Sequence, residues 1–172
     1  MNEKLKHLIN EVEQYESQTS QRETALINLV EELLITKGGD KFLANQEFKP
    51  ILADDFFLTQ LAIAVQKIPS AKKNEPMSKS HRDALDILIT AIRRSGKLAH
   101  PHRSKFPAQM YQDIYQEAIN RTLLYVWQNI DKYDENKGSV MGWINNKLGF
   151  VMLTVRSEFS SKDQEGFDIP SL

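Results

Sequence analysis

Asp113, Gln116 and Glu117 stand three and four residues apart within MYQDIYQEAINRTLLYVWQNIDKYDENKGSVMGW, residues 110–143. On a helix, that spacing sets two carboxylates and an amide on one side. Carboxylates so placed meet guanidinium groups through short, directional, charge-assisted hydrogen bonds, so the patch could dock an arginine-bearing partner. The plainer reading is a solvated helix face. A second group of residues is basic: Arg93, Arg94, Lys97, His100, His102, Arg103 and Lys105 gather around one loop. Residues 71–109 hold nine Lys and Arg against three Asp and Glu. Such a cluster suits phosphate, and binding through it should weaken steeply with salt; the competing reading is a solvated basic loop.

Nothing in the sequence supports catalysis, and the chain is expected not to be an enzyme and to need no cofactor. His100 and His102 flank a proline with no cysteine or paired carboxylate nearby, so no metal site is expected. The stretch KGGDK lacks the Gly-Lys-Ser/Thr ending of a phosphate-binding loop. Asp54 and Asp55 read as helix-capping residues, and Asp131, Asp134 and Glu135 as turn chemistry.

A chain of 172 residues with 41% hydrophobic content can bury a substantial core. The absence of cysteine excludes disulfides and thiolate metal sites. No segment approaches the roughly 20 apolar residues of a membrane span, and no signal-peptide core stands at the start, so a soluble cytoplasmic protein without membrane contact is expected. The net charge of −1 conceals the local basic excess at 71–109, so the total does not exclude nucleic acid.

Hydrophobic spacing is helical throughout, giving an all-α fold. A helix is expected at about 3–16, with Leu5, Leu8, Ile9 and Val12 inward. Ser20 with Glu23 forms a capping box for a second, which stops at Gly38-Gly39. Asp54 or Asp55 starts a third that ends before Pro69. The polar SAKKNEPMSKS reads as a linker at 71–79. Ser80 then caps HRDALDILITAIRRS, whose buried stripe is Ala84, Leu85, Leu88, Ile89 and Ile92. Further helices are expected at about 110–131 and 140–159, before a flexible tail at 161–172. The resulting segmentation is an N-terminal helical segment over 1–70, the linker, a helical domain over 80–160 and the tail.

On a wheel of about 100° per residue, Tyr111, Ile114, Tyr115, Ala118, Ile119, Leu123, Tyr125, Val126 and Ile130 fill one arc. Asp113, Gln116, Glu117, Asn120, Arg121 and Gln128 fill the other. Leu124 and Trp127 fall within the polar arc, and an indole there wants cover from a neighbouring helix or from a partner. In the next helix Ser139 is the expected N-cap. Val140, Ile144, Leu148, Val151, Met152, Val155 and Phe159 face the core, with Gly142, Asn145, Asn146, Gly149 and Arg156 opposite. Interior glycines cost about 1 kcal/mol each relative to alanine, so something is expected to approach that side closely: another helix backbone, or a ligand.

The series Asp113-x-x-Gln116-Glu117, Trp127, Tyr133-Asp134, Gly138-Ser139 and Trp143-Ile144 resembles the core-polymerase-binding and promoter-melting region of the bacterial sigma-70 family. The resemblance covers about 80–160 and is densest over 110–146. Ser95-Gly96-Lys97 and the helix before it are also similar to small cyanobacterial members. The resemblance implies an orthogonal helical bundle like sigma region 2, with an additional N-terminal helical segment.

It further implies that Asp113, Gln116, Glu117, Asn120 and Leu124 dock on the coiled coil of the largest subunit of core RNA polymerase. Promoter DNA at the −10 element would meet Asn145, Asn146, Lys147 and Arg156, beside the basic residues Arg93, Arg94, Lys97, Arg103 and Lys105. Trp143 would pack in the core. The chain departs from the family in three ways. The first helix is about one turn longer than in short extracytoplasmic-function members. The place of the Arg- and Lys-rich following helix holds TVRSEFSSKDQEGF instead. The expectation is also that the −35-reading C-terminal domain is lacking.

Two functions therefore stand. The first is a sigma-like initiation factor binding polymerase and promoter DNA. The alternative is a non-catalytic helical interaction or regulatory module on the same fold, with Leu124 and Trp127 against a regulator (an anti-sigma protein, for example) or a second copy. The acidic residues 1–70 would either shield the basic loop or extend the core.

Overall fold

Side-chain oxygens set where the helices begin. A computed structural model describes residues 2–69 and 77–168, with side chains through residue 160. Asn2 accepts from Leu5 N at 2.8 Å and opens α1, Glu3–Glu13. Thr19 caps α2, Ser20–Ile35, so the cap sits one residue before the expected Ser20. Asp54 accepts from the amides of Phe56 and Phe57 to start α5, Asp55–Gln66. Ser78, not the expected Ser80, caps α6, Lys79–Arg94, by accepting from His81 N at 3.2 Å. Each satisfies amides the first turn leaves without partners.

Between α2 and α5 the expected polar loop holds two one-turn helices, α3 over Gly39–Phe42 and α4 over Lys49–Leu52. Their four-residue lengths are too short to produce a hydrophobic period. Two long helices complete the chain: α7, Ala108–Asn129, and α8, Val140–Asp168. Helix α8 runs on through residues 161–168 of the expected tail, and residues 169–172 lie outside the described residues. Every helix and turn among the described residues belongs to an all-α architecture; no strand occurs among them.

Two compact units form, one of Met1–Leu98 with Asn129–Met141 and one of Ala99–Gln128 with Gly142–Leu172. In the first, α1 packs on α2, α2 on α5 and α5 on α6, with α3 and α4 also against α6. Leu5, Leu29, Leu33, Phe48, Phe57, Leu61 and Leu85 are fully buried there. Packing joins α6 to the N-terminal helices, across the polar linker; that linker and the resemblance over 80–160 group it with the two long helices after it. Its inward stripe carries Ala84, Leu85, Leu88 and Ile92 as expected, together with Ile87 and Ala91, while Ile89 is only half-buried. Residues 71–76 of the expected linker lie outside the described residues. Residues 3–66 extend the core of this unit; they are not an appendage to it.

In the second unit, Ile114, Tyr115, Ala118, Leu123 and Val126 of α7 are buried, as are Ile144, Leu148, Met152 and Val155 of α8. The spacing of both sets is that of one helix face.

Candidate docking face and nucleic-acid interface

The polar side of α7 is turned to solvent. Asp113, Gln116 and Asn120 are exposed, and Leu124, one turn further, is 56% exposed. Spaced three or four residues apart, they form a stripe along the outer face of the helix. Trp127 is half-buried.

Glu117 differs from its neighbours. Its carboxylate accepts from Arg121 Nε at 2.8 Å, one turn along α7. Arg121 also donates from both terminal nitrogens to Glu158 of α8, at 3.0 and 2.7 Å. The two carboxylates, Glu158 first and Glu117 second, push the guanidinium pKa further above its ordinary value. The network is exposed, so its contribution to stability is small, ~0–1 kcal/mol per pair. It nevertheless means that Glu117 already holds a cation, while Asp113 and Gln116 make no side-chain hydrogen bond among the described residues.

The break KYDENKGS is held in the first unit by side chains from α5. Gln66 Nε2 donates to Ile130 O at 2.9 Å and to Tyr133 O at 2.7 Å. Tyr133 is buried, and its hydroxyl donates to Gly138 O at 2.7 Å across the turn. Burial pushes the Tyr133 pKa up. Gly138 has φ 144°, open to glycine and costly for other residues. At the start of α8 the Val140 amide donates to Thr59 Oγ1 of α5 at 3.1 Å, a tertiary contact beside the expected Ser139. Trp143 packs on Tyr125 with ring centres 5.9 Å apart and is half-buried, not fully in the core.

The basic residues expected around one loop divide between the units. Arg93 and Arg94, at the end of α6, are exposed in the first, as is Lys97, whose Nζ lies 3.9 Å from the Asp55 carboxylate. The Ser95-Gly96-Lys97 motif is a helix stop. Ser95 Oγ donates to Ile92 O and accepts from Lys97 N, and Gly96 takes φ 71°.

Arg103 and Lys105 are exposed in the second unit, on a loop tied down from both long helices. Tyr115 and Tyr111 hydroxyls donate to Ala99 O at 2.7 Å and Pro101 O at 3.1 Å. From α8, Asn145 Oδ1 accepts from Ala99 N at 2.8 Å, and His102 Nε2 lies 3.2 Å from Gly149 O. Asn145, expected at DNA, therefore anchors the loop; Asn146 beside it is exposed. Two more expected DNA contacts sit over aromatic rings: Lys147 Nζ is 4.2 Å from the Tyr125 ring centre and Arg156 Cζ is 4.9 Å from that of Phe106. Arg156 is exposed and Lys147 half-buried, an arrangement in which the stem packs on the ring.

Beneath the loop runs an aromatic column that sequence reasoning missed. His100 stacks on Tyr115 at 4.7 Å, Tyr115 on Tyr111 at 5.6 Å, and Tyr111 meets Phe106 at 5.9 Å. The tyrosines at i and i+4 were a visible signal, read only as core positions. Exposed Phe150 and Leu153 on α8, at 64% and 44%, were also missed.

Gly149 was expected to mark a close approach. A β-carbon there would meet only His102 Nε2, at 4.0 Å, an ordinary contact. Gly149→Ala is therefore expected to stabilise the protein by up to about 1 kcal/mol through helix propensity. A thermal melt below that of wild type would show that the glycine is needed for packing.

A cleft of about 400 Å³ in the first unit is lined by Asp40, Asp83 and Asp86 with Lys37 and Lys79. Burial, then Asp40 and Asp83, pushes the Asp86 pKa up. Among the described residues, no three His, Cys, Asp or Glu side chains assemble as a metal site. No helix among them is long and apolar enough to cross a membrane. No protein-family model matches this chain, nor does any curated protein or solved structure.

Proposed function

We propose that this chain is a sigma-like transcription initiation factor that docks on core RNA polymerase through the outer stripe of α7 and offers its basic residues to promoter DNA. The exposure of Asp113 and Gln116, in line with Asn120 and Leu124, carries this reading. A stripe with two uncommitted polar groups and an apolar end fits a partner helix bearing arginine and an apolar neighbour. The clamped turn after α7 carries Tyr133-Asp134 and Gly138-Ser139 of the sigma-like series, with Trp127 before it in α7 and Trp143-Ile144 after it in α8.

The test is recovery of core polymerase by the tagged chain. Asp113→Ala/Gln116→Ala leaves the Glu117–Arg121–Glu158 network intact, so any loss reports on docking. Removing a charge-assisted contact costs about 1.5–3 kcal/mol, so recovery should fall about tenfold or more. Recovery equal to wild type would remove the proposal.

A second reading, an interaction module on the same fold, is favoured by Phe150 and Leu153 on α8. Scattered exposed apolar residues are ordinary, but two at helical spacing are a candidate contact. A stable dimer in sizing chromatography, lost in Phe150→Ser/Leu153→Ser, would support it; a monomer that binds polymerase would not.

A further inference from the structure

We propose that the loop at 99–106 is a binding site for single-stranded nucleic acid, in which an unpaired base stacks on His100 and the adjoining phosphates lie on Arg103 and Lys105. The proposal needs no polymerase. It shares with the proposed function the idea that the chain meets nucleic acid through basic residues that include Arg103 and Lys105, and it names a site and a strand state for that contact.

The aromatic column ends in a solvent-facing ring at His100, and at its other end His102, half-buried, stacks on Phe106 at 6.1 Å. Tyr115, Tyr111 and Phe106 are 5%, 3% and 6% exposed, whereas His100 at the end of the column is exposed. One face of the imidazole lies on Tyr115, in a stack tilted by only 18°. The outer face is open to a flat, polarisable partner, and a nucleobase is such a partner because every base has a π-face. The tyrosine hydroxyls and Asn145 fix the loop backbone, so the ring is held in place before any ligand arrives and little ordering cost remains.

Charge supplies the second half of the site. No acidic residue occurs between Asp86 and Asp113, so the loop carries cations without neighbours of opposite sign in sequence. Arg103 and Lys105, in the turn that follows His102, are both exposed. Arg156 stands over Phe106 of the same column. Stacked paired bases in a duplex keep their faces covered, so a stacking ring favours a strand with unpaired bases.

Fluorescence anisotropy of the full chain, without polymerase, tests this with labelled single-stranded DNA, single-stranded RNA and blunt duplex of roughly a dozen nucleotides. Binding of either single strand about tenfold tighter than the duplex is expected, and the DNA and RNA arms identify which is taken. His100→Leu keeps Tyr115 covered but has no π-face, and should weaken single-strand binding about 5- to 100-fold. His100→Phe should restore it. Arg103→Ala/Lys105→Ala should flatten the slope of log K against log salt by about 1.4, which His100→Leu should leave unchanged. Duplex bound as well as single strand, His100→Leu indistinguishable from wild type, or a salt slope unmoved by the double variant would each overturn the proposal. Failure of the polymerase pull-down would leave it standing.

Discussion

Gln66→Glu is expected to lower the thermal unfolding midpoint by on the order of 10 °C in a chain of this size. The Gln66 amide nitrogen donates to both Ile130 O and Tyr133 O, at 2.9 and 2.7 Å. Glutamate has no donor to offer, and its ionised carboxylate would face two carbonyl oxygens. Ile130 O keeps the Tyr133 amide at 3.1 Å, but a buried acceptor that loses its donor, as Tyr133 O would, costs about 1–3 kcal/mol, and repulsion from the carboxylate at both oxygens adds to that. Gln66→Lys keeps a donor at the end of the side chain and should lose less. The circular dichroism melt of the two variants checks the claim, and a Gln66→Glu melt at the wild-type temperature would show that the clamp does not hold the turn. The same change should also weaken polymerase recovery if the turn belongs to the docking region, although Asp113 and Gln116 are untouched.

Gly39→Ala should cost about 1–3 kcal/mol, the range for overfilling a packed interior. A β-carbon at Gly39 would lie 2.6 Å from Leu33 O and 3.0 Å from Ile87 Cδ1. The first of these atoms is backbone of α2 and cannot swing aside, so the α2–α3 junction must shift against α6. Gly38 next to it poses a different problem, with φ 70° but its nearest side-chain atom, Lys41 Cδ, 3.8 Å away. Gly38→Ala should therefore cost only the left-handed backbone strain, about 1 kcal/mol. Urea denaturation midpoints compare the two, and a loss for Gly39→Ala no larger than that for Gly38→Ala would show that the α2–α3 junction yields to the added β-carbon at little cost.

Local chemistry made much of the fold legible. Period and capping residues located the long helices because both signals lie within one or two turns of sequence. Where two hydroxyl residues compete, as Thr19 with Ser20 or Ser78 with Ser80, the cap falls on the one whose backbone is extended at the helix entrance, and sequence does not report that. The short helices α3 and α4 were invisible because one turn has no period.

The candidate sites were legible to a smaller depth. Exposure of Asp113 and Gln116 followed from the wheel. The pairing of Glu117 with Arg121 lies within one turn of α7, but the second carboxylate on Arg121 was not legible, since Glu158 comes from another helix 37 residues further along. The same holds for Asn145, whose bond to the Ala99 amide spans 46 residues of sequence. Charge clustering in sequence suggested one basic loop, but the chain passes between its two compact units at Leu98–Ala99.

Thr59 Oγ1 receives the Val140 amide from 81 residues further along the chain. The last long helix thus begins on a foothold made well before it, so closing this contact requires bringing together segments far apart in the chain, which is slow compared with local helix formation. On the ribosome the amino-terminal helices emerge first and can already be folded when the later segment arrives. They act as a template for it. Removing them would take away more than bulk: the segment from 130 to 140 would lose the surface against which it acquires its shape.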